Sequence, residues 1–445
     1  LLRTSWQPTK NIATDPMYPN LYFFLKDALG IEPWGFTQYI NTFGLLVAIA
    51  FVVAAVILSK ELKRREQSGL LSPMEETIVV GKPAGKGELL FNLVFGFIVG
   101  YKILGVFLND SQVNPQDYIF SSKGSLVGGL ILGGLFSWLK YHEKKKQALT
   151  KPEERKVKVY PHERVGDITV YAAIAGFIGA KVFDNLENWD RFIQDPIGNL
   201  LAPSGLTFYG GLILASVTII LFAKRKKIGI RHLIDSAAPA LMIAYAIGRM
   251  GCHFSGDGDW GIFNTAYKVS ETNSIELATP ADFDKSLLEY PEYTRQLVAE
   301  YGSIDNIPHA SFEGSSFLPN WFWAYNFPHN VNGVGIPMKD CVGNYCAQLS
   351  PPVFPTTLYE IIATTLLFIL LWSLRKRIVA PGRMFGLYLM LNGIERFLIE
   401  KIRVNSTYNL LGMHPTQAEL ISVMLFLFGA WLWVDSGRKF TLNTK

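Results

Sequence analysis

The chain has 445 residues, 49% hydrophobic and 18% charged, with a net charge of +5 and a mean hydropathy of +0.20. That balance excludes an ordinary soluble globule of this length and fits a membrane domain carrying at least one aqueous segment. The positive excess sits in short clusters suited to anionic lipid headgroups, and no nucleic-acid motif accompanies it.

In chain order, runs of mostly apolar residues long enough to cross a bilayer core predict spans at 38–59, 88–108, 124–140, 166–184, 204–223, 233–252, 354–374, 383–402 and 413–434. The expected fold class is therefore an all-α polytopic membrane protein, a bundle of about nine transmembrane helices. Basic clusters at Lys60 to Arg65, Lys144 to Lys146, Lys224 to Arg231, Arg375 to Arg377 and Arg438 with Lys439 fall on alternate loops. Short cytoplasmic loops hold the excess of Lys and Arg, so the N-terminus is expected outside and the C-terminus inside. Residues 1–37 form an outer segment without the charged start, apolar stretch and small-residue site of a cleavable leader, so the first span is expected to insert itself. Within it, Leu21 to Leu29 is read either as an amphipathic interfacial helix or as an ordinary packed one.

Residues 38–252 carry the first six spans and an internal repeat. Gly96-Phe-Ile-Val-Gly-Tyr-Lys-Ile103 followed by Val127-Gly-Gly-Leu-Ile-Leu132 reappears as Gly176-Phe-Ile-Gly-Ala-Lys-Val182 followed by Tyr209-Gly-Gly-Leu-Ile-Leu214. Both copies share one orientation, which reads as a duplicated hairpin whose glycines let helices approach closely. Residues 253–353 are the one long non-membrane stretch, an outer insertion that could guide a protein substrate, cap a site or bind a partner. Cys341 and Cys346 lie in it, where an oxidising compartment permits a disulfide, while Cys252 stands alone at a membrane boundary. Residues 354–434 carry the last three spans, and 435–445 form an inner tail.

Ionisable groups within spans are expensive and point to function. On this topology Lys181, Arg249, Glu360, Glu395, Arg396, Glu400 and Arg403 all fall in the outer half of the membrane or at its edge. Tyr209, His253, Asp257, Tyr359 and His414 fall there as well. Such clustering implies a polar cavity open to the outside, with cations able to hold a phosphate and carboxylates able to orient them. Arg396, Glu400 and Arg403 share a helical face, either as a ladder pointing into the bundle or as a lock between helices. Gly248 and Gly251 flank Arg249, where absent side chains would let a headgroup approach the backbone or would merely let helices pack.

These residues resemble a family. Gly248-Arg-Met-Gly-Cys-His-Phe-Ser-Gly-Asp-Gly-Asp-Trp-Gly261 is similar to the signature segment of prolipoprotein diacylglyceryl transferases. Pro355-Thr-Thr-Leu-Tyr-Glu360, Asn392-Gly-Ile-Glu-Arg-Phe-Leu-Ile-Glu-Lys-Ile-Arg403 and Met413-His-Pro-Thr-Gln417 resemble its later motifs, and Phe208-Tyr-Gly-Gly211 resembles its His-Gly-Gly element. The matches come in the family's order over most of the membrane part. The resemblance implies a multi-pass protein of the bacterial inner membrane with a periplasmic insertion domain. The reaction it implies passes the diacylglyceryl group of phosphatidylglycerol to the lipobox cysteine of a prolipoprotein signal peptide, giving a thioether and releasing glycerol phosphate. On that reading the catalytic candidates are Arg249, Arg396, Tyr209, His253, Glu360 and Glu400. Gly248, Gly251, Gly210, Gly211, Tyr359, Asp257, Gly261, Arg403 and Lys181 would bind substrate. No metal or cofactor is called for, and an envelope protein is a candidate partner of the insertion.

The departures from the family pattern matter. Tyr209 stands at the place of the family histidine, Cys252 at that of an asparagine, and Phe43 at that of a tyrosine. His253 is then either a substitute base or a hydrogen-bonded interfacial histidine. A second reading keeps the fold but makes the chain a lipid-binding or structural subunit of an envelope complex, without transfer chemistry. A transporter ranks third, since paired broken helices are not evident.

Overall fold

A computed structural model describes residues 17–108, 118, 123–202, 205–339, 341, 344–405, 408 and 414–443. Residues 1–16 of the outer segment, Met413 of the last motif and residues 444–445 of the tail lie outside them. The chain divides into two compact units, one of residues 1–54 and 234–445, the other of residues 55–233.

The described residues are predominantly helical. A long helix occupies each of the predicted spans: α1 (Thr42–Gln67), α2 (Lys86–Leu104), α3 (Leu126–Gln147), α4 (Val165–Glu187), α5 (Phe208–Arg225), α6 (Ile230–Ser255), α9 (Thr356–Leu374), α10 (Arg383–Glu400) and α11 (Gln417–Asn443). Seven of these are long and apolar enough to cross a membrane, against the nine expected. The other two are α3, which ends in the run from Lys140 to Gln147, and α10, which carries Arg383, Glu395, Arg396 and Glu400. Those charges lower their apolar character. The chain is not wholly α either. Met74–Val80 (β1) pairs antiparallel with Glu153–Val159 (β2), from Met74 opposite Val159 to Val80 opposite Glu153.

In the unit of residues 55–233, the repeat folds into two glycine-seamed hairpins. A Cβ on Gly100 would lie 2.1 Å from the Gly128 carbonyl oxygen, and one on Gly179 would lie 2.4 Å from that of Gly210. Only glycine therefore permits this helix spacing. The copies differ by one residue, Gly96-Phe-Ile-Val-Gly-Tyr-Lys against Gly176-Phe-Ile-Gly-Ala-Lys, and the longer copy takes up its extra residue as a π-turn over Gly100–Leu104, the usual way a helix absorbs an insertion. The seam and the lysine after it stay in register as a result. Lys102 Nζ donates to the Lys123 carbonyl at 2.8 Å, and Lys181 Nζ donates to those of Ala202 at 3.0 Å and Gly205 at 3.3 Å. Each lysine thus closes the loop of its own hairpin.

In the other unit, the stretch expected to be one helix over Leu21 to Leu29 is only a short turn, Leu21–Phe23, running into a π-turn at Phe24–Ala28. The start of α10 is fixed by Asp235 of α6, whose carboxylate accepts from the Gly382 and Phe385 backbone N–H groups at 2.8 and 2.9 Å. This caps donors a helix start leaves unpaired. Between α6 and α9 the insertion forms short strands, two helices, α7 (Pro280–Glu289) and α8 (Pro291–Tyr301), and a single helical turn at Asn320–Trp323. They close over a core that includes Phe263, Leu287, Tyr293, Ile307, Tyr325 and Phe327. A disulfide joins Cys341 to Cys346.

Candidate active site

The end of α6, the start of α9 and the end of α10 meet at Glu360, which is wholly buried in the second turn of α9. Three arginines converge on its carboxylate. Arg249 Nε, from the last turns of α6, stands 3.1 Å from Oε2; Arg396 Nη1, from α10, is 3.2 Å from Oε1; and Arg403 Nη1 is 3.9 Å from Oε2. Tyr245, one helical turn before Arg249, donates its hydroxyl to Glu360 Oε1 at 3.0 Å and lies under the Arg249 guanidinium, 5.5 Å from ring centre. Glu400 pairs with Arg396 at 2.9 Å along one helix face. The helix ends there, so Arg403 does not continue the expected ladder. It enters the cluster from the extended segment beyond, which is bridged to Gly261.

That bridge explains the signature loop. Ile262 donates to the Ile402 carbonyl and Gly261 to that of Phe354, both at 2.9 Å, so the loop is sewn to α9 and to the end of α10. A Cβ at 261 would lie 2.7 Å from the Ile402 oxygen. Gly258, at φ +100°, turns the chain in a conformation that strains other residues. The result is Asp259, with one oxygen on Arg249 and the other 2.6 Å from Arg403 Nη2. Burial pushes this carboxyl up, but the two guanidiniums outweigh burial and hold it at about 2. Its neighbour Asp257 moves the other way, raised by burial and then by the Asp259 charge, and its Oδ1 is buried without a hydrogen-bond partner.

Arg249, Glu360, Arg396, Glu400, Arg403 and Asp257 are thus brought together in one unit. Among the described residues the buried Arg403 Nε and Nη1 have no hydrogen-bond partner, and neither do the two carboxylate oxygens of Glu395. Buried polar groups are almost always satisfied, and Glu360 Oε2, 3.9 Å from Arg403 Nη1, and Glu400 Oε2 lack hydrogen bonds as well, so the cluster could take a polar ligand. A cation would fare worse. Cys252, Asp257 and Asp259 bring one donor atom each within 4.8 Å of one another, yet both Asp259 oxygens already face guanidiniums.

His253 is buried among the rings of Phe254, Tyr325 and Phe327, its Nδ1 2.9 Å from Thr357 Oγ1. Gly248 faces open space, whereas Gly251 packs on Phe43. Tyr359 donates its hydroxyl to the Phe322 carbonyl at 2.7 Å, pinning the insertion to α9. Tyr209, Gly210, Gly211 and Lys181 belong to the other unit, where the glycines make the hairpin seam and Lys181 closes the loop. Sequence reasoning passed over Asp259 and Tyr245. The four-residue step from Tyr245 to Arg249 was the available signal for Tyr245, and the repeated Gly-Asp over residues 256–259 for Asp259.

A family model described as prolipoprotein diacylglyceryl transferase matches residues 147–435, more than half of the chain. A phosphatidylglycerol–prolipoprotein diacylglyceryl transferase of Shouchella clausii is 26% identical over 332 residues, 73% of this chain and 92% of that protein. The protein of the same name from Leptospira interrogans is 29% identical over 221 residues, 50% of this chain and 48% of its own length. That from Corynebacterium efficiens is 25% identical over 283 residues, covering 62% and 69%.

Proposed function

The chain belongs to the prolipoprotein diacylglyceryl transferase family, and from that membership and the arginine cluster we infer that it transfers the diacylglyceryl group of phosphatidylglycerol to the lipobox cysteine thiol of prolipoproteins. The reaction needs little covalent help from the protein. The thiol loses its proton, sulfur attacks the glyceryl carbon that carries the phosphate ester, the carbon–oxygen bond breaks, and glycerol phosphate leaves with one more negative charge. Arg249, Arg396 and Arg403 lie where that charge would develop, and preorganised cations in a dry site are worth most at that moment. Glu360, Glu400 and Asp259 hold the guanidiniums in place, as partners of a binding group do elsewhere. Asp257, raised and with its Oδ1 free of hydrogen bonds, is the candidate to take the thiol proton, and a base whose pKa lies nearer the working pH is the better catalyst.

The observation that carries this reading is the pair of unsatisfied Arg403 donors beside two further arginines on one buried glutamate. The test is transfer of labelled diacylglyceryl from phosphatidylglycerol to a lipobox peptide by the purified protein. Loss of transfer in Arg249→Ala, with the protein still folded and membrane-embedded, supports the reading; undiminished transfer overturns it.

We place the protein in the bacterial inner membrane with nine crossings, N-terminus outside, C-terminus inside, and the insertion periplasmic. In support, α3 and α10 run 22 and 18 residues, and the basic clusters fall on every second connection between the nine helices and after the last. Two observations favour a second reading, a lipid-binding subunit of an envelope complex without transfer chemistry: Tyr209 stands in the place of the family histidine, and His253 is closed in by aromatic rings. Bound phospholipid with no transfer from folded protein would favour it.

A further inference from the structure

The most exposed large apolar side chain among the described residues is Phe317, at 90%, and it stands on a stretch that is far from slack. Asn264, fully buried, grips the segment Ser311–Trp323 near both ends. Its Nδ2 donates to the carbonyls of Phe312 and Trp323, each at 3.0 Å, and its Oδ1 accepts from the Phe312 N–H at 3.1 Å. Inside the segment, Gly314 N–H donates to the Tyr267 hydroxyl at 3.0 Å and Trp323 Nε1–H to the Ser315 carbonyl at 3.2 Å. Phe312 and Trp321 are also exposed, and Glu313 is the one charged residue in the stretch. A soluble surface gains nothing by fixing bare aromatic rings in water. Rigid presentation of such rings marks a place that meets an apolar or half-apolar partner.

The position of the segment says which partner. Tyr359, in the first turn of α9, donates to the Phe322 carbonyl at 2.7 Å and packs at a tilt against the Phe322 ring, centroids 5.4 Å apart. The segment is therefore fastened to a spanning helix where that helix enters the membrane, one residue before the hub glutamate of the arginine cluster. Aromatic side chains with few charges around them are the composition of the headgroup level of a bilayer. The acidic hairpin α7–α8, with Asp282, Asp284, Glu289, Glu292 and Glu300, contrasts with it and suits water.

We propose that Ser311–Trp323 is an aromatic finger that seats Phe317 and Trp321 in the lipid leaflet at the end of α9 nearest the arginine cluster, holding the bilayer surface against the site. The proposal rests on the membrane reading of α9 and not on the transfer chemistry, so the two can fail separately. The test uses the full chain in nanodiscs of phosphatidylethanolamine and phosphatidylglycerol. Phe317→Cys carries an environment-sensitive NBD label, with unsubstituted protein reporting any labelling of the buried Cys252 and Leu288→Cys serving as a water-facing reference. The expected result is blue-shifted emission at 317, quenched several-fold more strongly by bromolipid than by aqueous iodide, with the reverse at 288. Quenching by iodide and not by bromolipid overturns the proposal. So does protection from iodide that appears only when a lipobox peptide is added, because the finger would then serve the peptide and not the bilayer.

Discussion

The duplicated hairpins and the arginine cluster both place charged side chains in apolar helices, and they resolve the cost in opposite ways. Lys102 and Lys181 each give their protons to backbone carbonyls of the loop that joins their own two helices. Those partners are local, and the lysine serves the turn. Arg249, Arg396 and Arg403 instead arrive from separate segments and share Glu360, Glu400 and Asp259, while Arg403 keeps two buried N–H groups without a hydrogen bond. An intramembrane charge is thus a site only when its partners leave something over for a ligand. A lysine and an arginine in apolar helices have different meanings because of what surrounds them.

The sharpest way to break this contrast is to remove a cation from each side. Arg249→Ala or Arg396→Ala is expected to lower transfer by about 10³-fold, the order seen when one preorganised charge-stabilising donor is lost, with little change in folding. Glu360→Gln comes next. It keeps the shape but leaves three arginines around a neutral amide, and an uncompensated buried charge costs roughly 3–5 kcal/mol, so thermal stability in detergent and transfer rate should fall together. Asp257→Asn is expected to cost about 10²-fold in kcat, the usual worth of a general base, and to flatten the rise of the rate with pH. A normal pH profile in this variant would return the base to another group. Lys181→Met should loosen the hairpin, seen as faster proteolysis at the loop between α4 and α5, while KM for phosphatidylglycerol stays within about twofold, since hydrogen bonds from a charged group contribute about 1.5–3 kcal/mol to local structure. A large rise in KM would make Lys181 a lipid ligand and dissolve the contrast.

How much of this was legible in the sequence follows the same division. Each predicted span is a helix, because twenty apolar residues leave the backbone no other way to satisfy itself in lipid. Arg249, Glu360, Arg396 and Glu400 stood out because ionisable residues in such runs are rare. Asp259 did not, because its reach depends on a left-handed Gly258 and on the stitching of Gly261 to residues 354 and 402, pairings separated by about a hundred residues or more. Arg403 was misplaced for a related reason: periodicity continues the helix past Glu400, whereas a tertiary bridge ends it. Lys181 looked like the arginines since its partners, 21 and 24 residues onward, are main-chain carbonyls that no side-chain pattern announces. The ribbon β1–β2 was hidden because its strands sit beside basic clusters and read as loop.

The smallest effect separates Asp259 from its neighbours by pH. Its folded-state value of about 2 lies below the ordinary 3.8 of a free carboxyl, so the contribution of its two ion pairs is complete above about pH 4. It is lost as pH falls through 2, when the carboxylate takes up a proton and releases Arg249 and Arg403. Melting temperature followed from pH 6 to pH 2 should therefore hold steady and then drop in the wild type, while Asp259→Asn starts lower and has a shallower acid limb. Asp257 moves in the opposite sense. Its carboxyl is raised, so part of its protonation comes earlier in the descent, and it relieves a buried charge, which acts against the loss. If Asp259→Asn keeps the full acid limb, the signature loop is not held by those two ion pairs, and the backbone stitching at Gly261 is enough to place it.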